Sequence, residues 1–449
     1  MTAARGPLTC RQDPDSHEFD GDHPMSQPKS LRELSCADDY DPNSMPVERA
    51  RELIRTFLAP VTAMERVHIR QSLGRVLAAD VVSPLAVPGH DNSAMDGYAV
   101  RFADLSSDGE TTLARVGESF AGKPSGVTVG PGQCVRIFTG GVMPEGADSV
   151  VMQERATEDA GRVRVAAGAL AKCGQNRRFA GEDLKAGQVV FRIGQLVHPA
   201  ELGMLASLGI GEVTVYRKLR VAFFSTGDEL RSVGTPLAEG EIYDSNRYTI
   251  YGMLTRLHCD VLDMGVVPDV PDALERAFAD AAAAADVVIT SGGVSVGEAD
   301  FVKELLDKVG EVLFWKIAMR PGRPLAYGRI GDAHFFGLPG NPVSVMVTFY
   351  EFVQDALAIL QGRRDAAPQP TFKVPLAAPI RKVPGRTEFQ RGILVPDGKG
   401  SFTVRTTGDQ GSGILSSMSQ ANCFIVLSAD TGNCAVGDLV DVQLLEGLI

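Results

Sequence analysis

Short apolar runs and helical stripes alternate from residue 219 to residue 361, and this alternation frames the chain. Candidate strands lie at 219–225, 260–266, 286–291 and 311–318, with two more at 323–329 and 333–338. Helical spacing fills the gaps at 246–258, 271–285 and 298–309, and returns from Pro342 to Gln361. Strands buried on both faces read as short continuous apolar runs, and strands alternating with helices predict a parallel sheet covered on both sides. Upstream, Val47, Ala50, Leu53, Ile54, Phe57 and Leu58 make one helical stripe between Pro46 and Pro60. Proline before and after is what a helix of that length tolerates. From Val67 the pattern turns to short strands, and 97–178 is Gly-rich and β-like. Pro199 to Leu208 is helical again, with Gly209 just past its end. After Gly362 a Pro/Ala/Arg linker leads into a compact β region. Residues 1–44 show no periodicity and carry nine acidic residues against four basic ones, which predicts a disordered tail. His17 and His23 fall in that tail and read as solvated side chains rather than metal ligands.

The most suggestive chemistry lies at Asp286–Asp300, where a buried-strand pattern runs into Ser291-Gly292-Gly293 and then a helical pattern. Strand, glycine loop and helix start present backbone N–H groups and a helix dipole to an anion at the carboxyl edge of an open sheet. An ordinary βα turn reads equally well on these residues alone. Gly337–Ser344 is a second potential anion site, with Asn341 at a helix N-cap and Pro342 in its first turn. Acids sit on several loops: Asp91 and Asp96 within Pro88–Tyr98, Asp183 in Gly181–Asp183, Glu229 in Ser225–Glu229, and Asp269. The strand from Arg136 ends at Thr139 and two glycines. Turn chemistry accounts for each of these segments singly, because Asp, Asn, Ser and Gly are what turns require. Between the glycine loops, Lys316, Arg320 and Arg323 cluster around Pro321-Gly322. The C-terminal region adds Arg381, Lys382, Arg386 and Arg391, then Gly408–Gly413. Gly117–Lys123 fits the first seven positions of a phosphate-binding P-loop but is rejected. Pro124 stands where the metal-binding hydroxyl belongs, and no strand-loop-helix pattern surrounds it.

Composition narrows the class. A chain of 449 residues should hold roughly three or four domains. Its 44% hydrophobic and 22% charged residues are ordinary for a globular protein. A net charge of −12 argues against a nucleic-acid binder, so an anionic ligand would need a local basic cluster. The apolar runs fall short of a membrane span, and no signal-peptide core precedes residue 20. Seven cysteines without a C-x-x-C pair suit a reducing compartment, and the cytoplasm is the expectation.

Taken in order, DNSAMDGYAV (residues 91–100), RIFTGG, GED, FSTGDEL, IYDSNR, SGGVSVGEAD, GLPGNPVS, PGRTEFQRG and NCFIVL resemble the molybdopterin molybdenumtransferase family. That family includes the C-terminal domain of gephyrin, and the resemblance runs from about residue 45 to 447. It implies a multidomain α/β and β architecture: a central three-layer α/β domain with a mostly parallel sheet, a mixed N-terminal domain, an inserted β domain and a C-terminal β-barrel-like domain. On this sequence the boundaries are 45–96 with 179–218, 97–178, 219–364 and 365–449. It also implies an elongated homodimer, with the early domains of one subunit facing the α/β domain of its partner. The reaction implied is insertion of molybdate into adenylyl-molybdopterin with release of AMP, in the company of other molybdenum cofactor biosynthesis proteins.

Carried over by motif, the catalytic candidates are Asp96, Thr139, Asp183, Glu229, Asp269 and Asp300. The substrate-binding set is Ser291, Gly292, Gly293, Ser295, Lys316, Pro339, Gly340, Asn341 and Pro342. Molybdate, a small tetrahedral dianion, would meet Arg320, Arg323, Ser344, Arg386, Arg391 and Ser412. Cleaving a phosphoanhydride asks for a divalent cation held by carboxylates, so Mg²⁺ is expected, with Glu229 and Asp300 as its ligands. Acids clustered without metal would raise one another's pKa. One departure stands out: the family often has Lys-Pro-Gly-Lys where this chain has Arg320-Pro-Gly-Arg323, a planar fork in place of a point charge. Tungstate insertion, molybdopterin adenylylation and a purely scaffolding role are the competing readings. The domains beyond the α/β domain weigh against the second, and the retained acids against the third.

Overall fold

The computed structural model describes residues 44–292, 305–306 and 308–445. Gly293, Ser295 and Asp300 of the expected site lie outside these residues, as do nearly all of the expected tail and most of the helix expected at 298–309. The described chain begins with helix α1 (Val47–Thr56), which buries Val47, Ala50, Leu53 and Ile54 and ends ahead of Pro60. The described residues form two compact units: one of Arg66–Leu73 and Leu77–Val215, the other of those within 44–65, Gly74–Val76 and 216–445.

The smaller unit is built on a six-stranded sheet. Its strands are β1 (Gly97–Val100), β2 (Thr111–Ser119), β3 (Gln133–Ile137), β4 (Ser149–Met152), β5 (Ala156–Asp159) and β6 (Arg162–Val165), in spatial order β4-β1-β3-β2-β6-β5. Alternation along β1 divides the core: Tyr98 and Val100 join one apolar cluster with Leu113 and Val151, and Ala99 joins another with Val135 and Ile137. Two short antiparallel pairs, Asn92–Ser93 with Arg177–Arg178 and Val81–Val82 with Val189–Phe191, close the chain before the sheet against the chain after it. Helix α2 (Pro199–Ser207) carries a capping box in which Glu201 accepts from the His198 N–H at 2.9 Å.

In the larger unit the alternating pattern becomes β7 (Arg220–Thr226), α3 (Ser245–Arg256), β8 (Asp260–Val267), α4 (Pro271–Ala284), β9 (Val287–Ser291), β10 (Gly310–Lys316), β11 (Met319–Arg320), β12 (Pro324–Ile330) and β13 (Ala333–Leu338). The central sheet runs β8-β7-β9-β13-β12-β10. Val221, Phe223, Val287 and Ile289 pack with α1 and α3 on one face, while Ala222, Phe224 and Val288 pack with α4 on the other. Three of its five pairings are parallel, and the last two are antiparallel. The sheet is thus mostly parallel, as expected, and its edge is antiparallel because β12 and β13 are joined by Gly331-Asp332, too short for a crossover.

The last helix of this layer runs through α5 (Pro342–Thr348), one π-helical turn (Phe349–Val353) and α6 (Gln354–Leu360). At 19 residues it is long and apolar enough to cross a membrane by length and composition. Here Val343, Val347, Phe352 and Leu357 are spent in the core against the sheet.

The C-terminal sheet comprises β14 (Thr371–Pro375), β15 (Thr387–Pro396), β16 (Phe402–Thr406), β17 (Cys423–Leu427) and β18 (Leu439–Leu444), with a short helix, α7 (Leu415–Gln420). Its order is β11-β15-β17-β18-β14, with β16 also paired to β15. A bridge between Leu376 and Val404 curls the sheet back on itself.

Candidate active site

The carboxyl ends of β7, β9 and β13 lie side by side, with Ser225 opposite Ser291 and Ser291 opposite Leu338. Gly292 leaves β9 at φ +91°, and a Cβ there would lie 2.4 Å from the Thr226 carbonyl oxygen. Only glycine lets the loop fold this tightly onto the neighbouring strand. Asn246, in the first turn of α3, clasps the edge: its amide donates to Ser291 Oγ at 2.8 Å and to the Gly340 carbonyl at 2.7 Å. Asp244 caps the same helix by accepting from the Arg247 N–H at 3.1 Å. Among the described residues, Ser225 Oγ, Thr226 Oγ1, Asp244 Oδ2 and Asn246 Oδ1 are buried without a hydrogen-bond partner. Buried polar atoms are ordinarily paired, so four such oxygens at one sheet edge are acceptors for donors on a bound molecule or on the loop continuing at Gly293.

Sequence reasoning placed Ser291, Gly292, Pro339 and Gly340 here but missed Asp244 and Asn246. The signal was available: Asp-Ser-Asn ahead of a helical stripe is an N-cap pattern. Asn246→Ala should strip Ser291 and Gly340 of their donor, costing about 1–3 kcal/mol of stability. A lower melting temperature is the expected reading.

The acids of this unit flank the edge. Glu229 is exposed, its backbone carbonyl accepts from the Ile242 N–H at 2.9 Å, and its carboxylate folds back over Gly227. A Cβ at 227 would sit 2.7 Å from Glu229 Oε2, so glycine there makes room for the carboxylate. Asp269 lies half-buried between β8 and α4. Among the described residues no three His, Cys, Asp or Glu side chains converge on a metal position.

The basic loop is drawn into the C-terminal sheet, because β11 pairs in parallel with Thr387–Glu388 of β15. Arg320 is thereby held near Glu388, with Nη1 3.7 Å from a carboxylate oxygen. Gly322, at φ +92°, packs so closely on α5 that a Cβ would lie 2.6 Å from Thr348 Oγ1 and 3.5 Å from the Ser344 carbonyl. At the start of α5 the Val343 N–H donates to the Ser412 carbonyl at 3.1 Å. Arg391 is buried, donating from Nε to Ser417 Oγ and from Nη2 to the Gly411 carbonyl, each at 3.0 Å. Burial pushes its pKa down to about 10, and Arg320 adds repulsion, yet it stays charged at neutral pH. Arg320, Ser344, Arg391 and Ser412 are therefore gathered about one helix start. Lys316 is half-buried at the end of β10, while Arg323 and Arg386 are exposed on the flanking segments. Asn341 holds the N-cap position of α5, but its side chain makes no capping hydrogen bond, and Pro342 follows at the first turn.

In the smaller unit Asp96 and Thr139 form a pair. Both the backbone N–H and the hydroxyl of Thr139 donate to Asp96 Oδ1 at 2.8 Å. These donors, the N–H first, lower the Asp96 pKa, with Arg136 helping. The upward shift expected of mutually repelling acids is not what Asp96 shows. Asp183 is exposed, on the turn where its N–H donates to the Val87 carbonyl. Asp91 is committed elsewhere, accepting from the Ala180 N–H and from Arg177.

Three families match along the chain. Residues 45–209 match "MoeA N-terminal region (domain I and II)", 222–359 "Probable molybdopterin binding domain", and 373–445 "MoeA C-terminal region (domain IV)". A molybdopterin molybdenumtransferase of Haemophilus influenzae is 46% identical over 405 residues, covering 90% of this chain and 99% of that protein. Another from Nostoc is 38% identical over 381 residues, covering 83% of this chain and 86% of that protein. The solved molybdopterin biosynthesis moeA protein of Pyrococcus horikoshii is 30% identical, with a TM-score of 0.77 over 89% of this chain and all of that one.

Proposed function

Because the chain belongs to the MoeA family of molybdopterin molybdenumtransferases, we propose that it inserts molybdate into adenylyl-molybdopterin, releasing AMP and giving molybdenum cofactor. It is a transferase of molybdenum cofactor biosynthesis, related to its curated counterparts over nearly its whole described length. The observation that carries the detailed reading is the buried oxygen cluster at Ser225, Thr226, Asp244 and Asn246, which offers acceptors to amino groups of the substrate. The cations at Arg320 and Arg391, with the Ser344 and Ser412 segments, supply fixed positive charge and donors for a dianion. Arg391 is preorganised by its bonds to Gly411 and Ser417. Such a site pays its desolvation cost in folding rather than at each turnover.

Mg²⁺ fits the donor chemistry, since it commonly binds through one or two carboxylates together with phosphate oxygens and needs no three-acid cage. Glu229, exposed above Gly227, would be one such ligand, and Asp300 the other. The ion when bound would offset charge on the phosphoanhydride. Glu229 and Asp269 would otherwise orient attacking groups and accept protons. We place the enzyme in the cytoplasm as a homodimer. Cys134, Cys173, Cys259, Cys423 and Cys434 are all free thiols, which suits a reducing compartment.

Arg320→Ala should raise the molybdate concentration for half-maximal rate about ten-fold, as expected for loss of a charge-assisted contact, and change pterin-nucleotide affinity much less. Unmoved values for both would remove the loop from the anion site. The reaction itself is tested by reconstitution. The chain, adenylyl-molybdopterin and molybdate together should activate an apo-molybdoenzyme, and omitting molybdate should abolish the activation.

A further inference from the structure

Gly117–Lys123, whose P-loop likeness failed for want of a helix, turns out to be the end of β2 and a tight hairpin. Phe120 and Lys123 exchange both backbone hydrogen bonds at 3.0 Å around Ala121-Gly122. The hairpin lays Phe120 flat on Phe138, with ring centroids 4.6 Å apart and planes 10° from parallel. Phe138 in turn lies under the Arg136 guanidinium, whose carbon is 5.0 Å from that ring and 4.9 Å from the ring of Tyr98. Neither Phe120 nor Phe138 belongs to the two apolar clusters that flank this sheet. Phe120 keeps 38% of its surface exposed at the hairpin tip. A ring pair serving only as core would be covered, and a hairpin tip needs no phenylalanine to turn.

The polar groups beside the stack suit a ligand. Thr139 follows Phe138 directly and holds Asp96 through Oδ1, leaving the second carboxylate oxygen to accept from an exocyclic amine. Lys123 is an exposed cation on the same hairpin. A ring face, a carboxylate edge and a cation together match a planar amino-heterocycle bearing phosphate.

We propose that Phe120 is a stacking platform for the amino-purine or pterin ring of the substrate, with Asp96 taking its exocyclic amine and Lys123 its phosphate. This rests on the molybdate-insertion reading, whose substrate joins one ring of each kind. Face-to-face stacking is indifferent to which ring arrives, so the two are separated by measurement.

The test is calorimetric titration of the full-length protein and Phe120→Ala with AMP in one arm and neopterin monophosphate in the other, beside steady-state kinetics. Alanine in place of a stacking ring should weaken one of the two ligands about ten-fold or more and name the ring. KM for adenylyl-molybdopterin should rise by the same factor, with little change in kcat. Phe120→Trp should restore binding and Phe120→Leu should not. A platform with only a structural role would instead lower the melting temperature or dissociate the dimer with both affinities unchanged, and that overturns the proposal. The titrations need no turnover. If wild type fails to release AMP on molybdate addition, the function reading falls while the platform is still judged. If wild type turns over and Phe120→Ala binds both ligands normally, only the platform falls.

Discussion

Replacing Glu229 with glutamine should slow molybdate-dependent AMP release about 100-fold, the usual size of a lost proton-transfer or charge-stabilising carboxylate. The melting temperature should scarcely move. The side chain is exposed, the substitution keeps its size, and its backbone contact to Ile242 is untouched. What is lost is the negative charge placed over Gly227. The variant should also need more Mg²⁺ for half-maximal rate if the carboxylate is a metal ligand. Near-normal turnover at every Mg²⁺ concentration would take Glu229 out of the site.

The largest effect on stability is expected at a place no chemistry marks. Glu351, in the π-helical turn between α5 and α6, is 1% exposed. It is held by Arg51 of α1, which also donates from Nε to the Glu351 carbonyl at 2.9 Å, and by Gln443 of β18 at 3.0 Å. One carboxylate thus ties together α1, the last helix of the α/β layer and the C-terminal sheet. Beside it Arg55 forks onto Asp355 at 2.9 and 3.1 Å.

Arg51→Met should destabilise this unit by about 3–5 kcal/mol at pH 8, because it leaves a buried charge without its partner. Burial pushes the Glu351 pKa up to about 7 even with Arg51 pulling it down. The folded state therefore holds this proton more tightly than the unfolded chain. Stability from this group is fully present at low pH and is lost as pH rises through about 7. Removing Arg51 raises that pKa further, so the variant's deficit should shrink at pH 5.5, where Glu351 is neutral. Thermal melts at the two pH values would show it. An equal deficit at both would mean that lost packing, not charge, is the cause.

The elements best read from sequence were those whose pattern is local. β7, β9 and the start of α5 stood out because strands covered on both faces are nearly all apolar and a Pro at the first helical turn is a distinct signal. What escaped was set by partners far along the chain. β11 is two residues long with no periodicity of its own, and its place is decided by Thr387–Glu388. Arg391 was carried over only by motif, and its burial is set by Ser417, a partner 26 positions further along the chain. Asn246 was visible only as part of a motif, because its partners at Ser291 and Gly340 lie 45 and 94 positions away. Arg51 and Glu351 are 300 positions apart. Phe120 and Phe138 directly follow the ends of β2 and β3 and meet because those strands run in parallel register, Ser119 beside Ile137.

On the proposed function, molybdate insertion is coupled to cleavage of the adenylyl bond. The most direct measurement is AMP released from adenylyl-molybdopterin by the purified protein, counted against molybdenum bound to the pterin product. No AMP should appear without molybdate, and one AMP should appear for each molybdenum incorporated when molybdate is added. AMP release at the same rate without molybdate, or AMP without bound molybdenum, would contradict it.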